Sequence, residues 1–133
     1  MTDAFDSKEF RNVLGNLPTG VVIISGVDAS GDPQGITIGS FVSISLDPPL
    51  VGFFQGLNSK TWPAIAASGS FCANVLAQDQ SELCWRFAKE AEGRFDGVKW
   101  TPATSGSPKI AGSLAHIDCT IESSSQVGDH LFI

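Results

Sequence analysis

The stretch ITIGSFVSISLDPPL, residues 36–50, decides the fold. Read with a period of two, it places Ile36, Ile38, Val42, Ile44 and Leu46 on one face. Thr37, Gly39, Phe41, Ser43 and Ser45 fall on the other, because successive side chains of a strand point to opposite sides. Pro48 and Pro49 end the run, and LVGFFQ at 50–55 reads as the next strand. Upstream, the apolar, β-branched GVVIIS at 20–25 predicts a buried strand. Between them GVDASGDPQG, residues 26–35, is turn chemistry. Downstream, FCANVLA at 71–77 and SLAHIDCTIESS at 113–124 read as strands, and DHLFI at 129–133 starts another.

Three short helices punctuate these strands. Asp6 and Glu9 have capping-box spacing, and Phe10, Val13, Leu14 and Leu17 then recur at helical intervals until Pro18. A second helix is predicted over 60–67, stopped by Ser68 and Gly69. Asp79 and Glu82 repeat the capping spacing for a third, ending near Lys89. Strands without long helical crossovers predict a mainly β, mainly antiparallel domain, and a closed or partly closed barrel hides its edges. The chain stops within an apolar strand at Leu131, Phe132 and Ile133. The expectation is therefore one domain over 1–133 that lacks its C-terminal part, or whose last strand is completed by a partner chain.

Composition narrows the function classes. The chain of 133 residues carries 14 Asp+Glu against 8 Lys+Arg, a net charge of −6. That balance argues against a nucleic-acid partner, which needs a basic surface. No secretory signal or membrane-length apolar run is present, so the expected location is cytoplasmic. Cys72, Cys84 and Cys119 form neither a zinc pattern nor a disulfide framework and read as small thiols in a reducing compartment. His116 and His130 make no metal-spaced cluster with them.

The stretch QGLNSKTWPAI, residues 55–65, carries the chemistry best. It gathers Asn58, Ser59, Lys60 and Thr61 at a helix start, where free N–H groups and a cation suit an anion. Taken alone it is equally a capped surface helix with a solvated lysine. Thr37, Gly39, Ser43 and Ser45 offer a small, hydroxyl-bearing face for a flat ligand, or simply a polar outer face. Arg86 and Arg94 flank Phe87 and either clamp a phosphate or pair with Glu82, Glu90 or Glu92. Trp62, Trp85 and Trp100 read as packing residues. No nucleophile–base constellation or carboxylate pair is singled out.

In this order the stretches resemble the flavin reductase family, the small reductase components of two-component flavin monooxygenases. FRNVLGNLPTGVVIIS resembles the family's opening helix and strand, and GITIGSFVSISLDPPLVGF its flavin-cradling strand pair. SGSFCANVLAQDQSELCWRFA, RFDGVKW and SLAHIDCTI followed by GDH resemble its later signatures. The resemblance implies a six-stranded antiparallel Greek-key split barrel with flanking short helices, as a homodimer with FMN or FAD near the interface. It implies NADH or NADPH as hydride donor, a partner flavin-dependent monooxygenase, and no catalytic side chain, since hydride passes directly to flavin. Thr37, Ile38, Gly39 and Ser40 would line the flavin ring. The stretch from Phe53 through Phe54, Gln55, Asn58, Ser59 and Lys60 would follow ring, ribityl chain and phosphate. Phe87 and Arg94 match positions on the flavin's far side, and His130 the histidine that approaches the nicotinamide nucleotide. The other function compatible with this pattern is a flavin-binding split barrel without turnover, acting as carrier or interaction subunit.

Overall fold

The computed structural model describes residues 4–89 and 92–133. Glu90, one of the acidic partners considered for the arginines, lies outside them. Among the described residues the chain is mainly β, with three α-helices: α1 (Ser7–Leu14), α2 (Thr61–Ala66) and α3 (Ser81–Lys89).

The centre is a four-stranded antiparallel sheet. It is built from β1 (Val22–Val27), β2 (Pro33–Ile38), β6 (Ser70–Val75) and β9 (Ala115–Thr120), in the order β2-β1-β6-β9. Strand β1 is buried from Val22 to Gly26 because both its faces are covered, which is why its sequence is a continuous apolar run. On one face Ile24, Ile38, Phe71 and Ala73 meet Trp62 and Ile65 of α2 and Phe53. On the other, Ile23 meets Phe87 of α3 and Ile110. Two glycines let the helices approach. A Cβ on Gly26 would lie 2.6 Å from Ile65 Cγ2, and one on Gly35 would lie 2.7 Å from Phe87 Cε2.

The stretch that decided the fold is one strand by pattern and two in space. It breaks at residues 39–41, so Ile36 and Ile38 stay with the central sheet while β3 (Val42–Leu46) pairs with β4 (Pro49–Gly52). The expected single apolar row is therefore split. Ile38 is buried, whereas Val42, Ile44 and Leu46 are 46%, 49% and 91% exposed. LVGFFQ is likewise divided, into β4 and β5 (Phe54–Gly56). Strands β10 (Ser125–Val127) and β11 (His130–Phe132) extend β5 into a second sheet, ordered β10-β11-β5. Phe53, between β4 and β5, exchanges both backbone hydrogen bonds with Ile133.

A hairpin of β7 (Trp100–Pro102) and β8 (Pro108–Ile110) was not anticipated, although the polar turn TSGS separates its arms. A buried polar network ties it down. Ser25 Oγ donates to Pro108 O, and Asn74 donates to Ser25 Oγ and Ile23 O while accepting from Ile110 N. Eleven strands are thus present among the described residues, in four separate sheets that do not close, where six strands of a split barrel were expected.

The helix caps follow the sequence at α1 and α2 and differ from it at α3. Asp6 accepts from the backbone of Lys8 and Glu9. At α2 it is Ser59, one residue outside the cap, that accepts from Trp62 N. Before α3 the capping side chain is Gln80, which accepts from Ala77 N, not Asp79.

Candidate functional site

A cleft of about 760 Å³ opens between β2, β5, the start of α2 and the β10–β11 turn. Every residue from Gln55 to Thr61 lines it, together with Gln34, Ile36, Glu92, Arg94, Asp129 and His130. The cross-strand register explains how distant residues meet: β11 pairs with β5, setting His130 opposite Gly56 and Leu131 opposite Gln55. Leu57 N donates to Asp129 O and closes that end.

The wall is held by side chains that bridge elements. Arg94 Nη1 donates to Gly35 O at 2.7 Å and to Thr61 Oγ1 at 3.1 Å, tying β2 to α2. Arg86 instead forms an ion pair with Glu82 and donates to the backbone oxygens of Arg94 and Asp96. His130 Nδ1 lies 2.7 Å from Asp129 Oδ1, and this contact holds the Asp129 carboxyl below its usual range. Glu92 and Asp129 are acidic and Lys60 and Arg94 basic, so the cleft carries both signs.

Seven residues singled out from the sequence are gathered here: Gln55, Asn58, Ser59, Lys60, Thr61, Arg94 and His130. The others lie elsewhere. Thr37 points to the opposite face of the sheet, where its hydroxyl donates to Cys84 O of α3. That is the consequence of strand alternation, since Ile36 lines the cleft and its neighbour cannot. Ile38, Phe53 and Phe87 are core side chains. Phe53 packs edge-on against Trp62 and Phe71, and Phe87 against Phe95. Ser40 Oγ accepts from Phe54 N and donates to Phe54 O, so its hydroxyl joins the β2–β3 link to β5. Gly39 lies under Thr19, whose Oγ1 a Cβ there would meet at 3.2 Å.

Sequence reasoning missed Gln34, Ile36, Glu92 and Asp129 as lining residues. Alternation flags the first two once β2 is known to be an edge strand, and Asp129 is the residue next to His130. His116 is structural, with Nε2 2.7 Å from Ile110 O. Among the described residues the three cysteines are free, and no group of His, Cys, Asp and Glu could hold a metal ion. Burial pushes the Cys72 and Cys119 thiols up to about 11, so neither is a thiolate nucleophile near neutral pH. No helix among them is long and apolar enough to cross a membrane.

The fold and cleft define a β domain that can hold an elongated ligand, anionic at the Lys60 end, along a wall formed by one strand and the following helix start. Residues 14–133 match the profile of the flavin reductase like domain, and the chain belongs to that family. It is 48% identical over 128 residues to the reductase subunit of a flavin-dependent monooxygenase from Rhodococcus jostii, covering 96% of this chain and 65% of that protein. It thus spans slightly less than two thirds of that relative. The solved structure of nitrilotriacetate monooxygenase component B from Mycobacterium thermoresistibile superposes with a TM-score of 0.92 at 46% identity, covering 96% of this chain and 70% of the other. An NADH:FAD oxidoreductase from Streptomyces globisporus superposes with a TM-score of 0.88 at 35% identity, covering 99% and 80%.

Proposed function

We propose that the protein is an NAD(P)H:flavin oxidoreductase that supplies reduced FMN or FAD to a partner flavin-dependent monooxygenase. The observation that carries this reading is the gathering of Gln55, Asn58, Ser59, Lys60 and His130 in one cleft of a flavin reductase family chain. The residues suit a flavin nucleotide. A cation and two short polar side chains stand where a phosphate ends, and a buried amide oxygen of Gln55 lacks a protein donor among the described residues.

Bound flavin supplies the hydride acceptor, and NADH or NADPH the hydride. The chain's own residues bind and orient. Lys60 contributes charge and Ser59 and Asn58 hydrogen bonds at the phosphate, while Arg94 keeps the α2 wall fixed against β2. Asp129 engages Nδ1 of His130, so Nε2 is the ring atom left for the nicotinamide nucleotide. Thr37, Gly39 and Ser40 would act by shaping the strand link beside the ring through their backbone. No side chain need act as acid or base. In this reading the four sheets form a split barrel, and a second copy of the chain completes the site. The apolar rows left exposed on α1 and β3 support such pairing.

The test is loss of reduced-nicotinamide absorbance with NADH and NADPH, with and without FMN or FAD. Turnover that requires added flavin is expected and names both cofactors. Flavin binding without turnover would instead favour the carrier or interaction subunit, and absence of flavin binding would sink both.

A further inference from the structure

Arg86 does not line the cleft. It belongs to α3, which packs on the face of β2 opposite the cleft, where Cys84 O accepts from Thr37. Its guanidinium nonetheless holds backbone that leads there. Nη1 donates to Asp96 O at 2.8 Å and to Arg94 O at 3.4 Å, while Nη2 pairs with Glu82. Gly93 and Gly97, at φ +70° and +72°, bound the turn that carries these two oxygens. Phe95 anchors the same turn edge-on against Phe87. One residue of the turn, Arg94, enters the cleft, where Nη1 donates to Gly35 O at 2.7 Å and to Thr61 Oγ1 at 3.1 Å. Thr61 opens α2 and follows Ser59 and Lys60 directly. A series of charge-assisted hydrogen bonds therefore runs from α3, through the 93–97 turn, to the start of α2.

We propose that Arg86 is a positioning residue for the phosphate end of the cleft: by holding the backbone of Arg94 and Asp96 it fixes the Arg94 guanidinium, and with it Thr61 and the start of α2. This rests on the flavin reading, in which the phosphate lies at Ser59 and Lys60. A helix of six residues is marginal by itself, so the ties to its neighbours set where its first turn sits. The ion pair with Glu82 does not explain the arginine. The Glu82 side chain is 77% exposed, and a pair so open to water contributes little. The turn is what calls for a guanidinium. Its planar fork reaches Glu82 with one nitrogen and the turn oxygens with another, at angles that a flexible ammonium does not fix.

The experiment reads the Kd for FMN and for riboflavin by flavin fluorescence, with the ligand-free Tm. It uses the purified protein, Arg86→Gln, Arg94→Gln, the double variant and Glu82→Gln. Riboflavin lacks the phosphate. In Arg86→Gln the Kd for FMN should rise about fivefold, and that for riboflavin should stay close to its original value. The double variant should bind FMN no more weakly than Arg94→Gln alone, because residues acting in series are not additive. Glu82→Gln should leave both affinities unchanged. Arg86→Lys keeps the charge without the fork and should lose FMN affinity as Arg86→Gln does, which preserves the test where Arg86→Gln does not fold. Losses that add in the double variant would break the link through Arg94. An equal loss for riboflavin with a lowered Tm would make Arg86 purely structural, and a matching loss in Glu82→Gln would assign the effect to the ion pair. Each of these overturns the proposal. If the unaltered protein binds neither flavin, the flavin reading fails and this proposal with it. If it binds both and the FMN Kd does not move in Arg86→Gln, the proposal alone fails.

Discussion

Position 37 and position 55 show how a single residue's role depends on facing. Thr37 lies in a stretch that resembles a flavin-lining motif, yet its side chain turns to α3, because Ile36 already occupies the cleft side. Gln55 falls in the stretch that resembles the ring-to-phosphate wall, and the structure buries its side chain with no partner for Oε1 among the described residues. His130 was singled out through the family resemblance of its GDH stretch, and the structure places it in the cleft with Nδ1 against Asp129. His130→Ala should raise the KM for the nicotinamide donor several-fold and leave the KM for flavin close to its original value. Steady-state kinetics with each substrate varied in turn checks this, and a defect confined to flavin would remove the nicotinamide role.

At the scale of elements, local signals were read well where they act through the backbone and poorly where neighbours decide. The β1–β2 hairpin follows from its turn residues. Asp28 Oδ1 accepts from Ser30 and Asp32, holding the turn and keeping the Asp28 carboxyl below its ordinary value. The break at residues 39–41 was not legible, because alternation continues in the sequence while the chain changes sheets. Gly35 marks where α3 presses on β2. Gly35→Ala should destabilise the fold by about 2 kcal/mol through overpacking against Phe87. Urea denaturation would show it as a lower midpoint with unchanged slope. A neutral substitution would mean that Phe87 moves aside freely.

For the whole molecule, the apolar faces predicted for α1 and β3 exist, and the single chain does not cover them. Phe5, Phe10, Val13, Leu14 and Leu17 are about half exposed or more, as are Val42, Ile44 and Leu46. A second copy seated on these rows should give a light-scattering mass near twice the 14.0 kDa chain. The pair Ile44→Glu and Leu46→Glu should halve it while leaving the circular dichroism of the fold intact. A monomer at every concentration would exclude the dimer.

The sequence by itself determined the mainly β class, the three helices, the buried central strand and the polar stretch at 55–61 that lines the cleft. These depend on side-chain periodicity, turn residues and breakers, which act over a few residues. Tertiary structure decided the division into four sheets, the hairpin at 100–110, and which candidates share a cleft. It joined His130 to Gly56 by strand pairing, turned Thr37 to the face opposite the cleft, and buried Ile38, Phe53 and Phe87 in the core. Those outcomes depend on pairing and facing between segments tens of residues apart, and local pattern does not encode them.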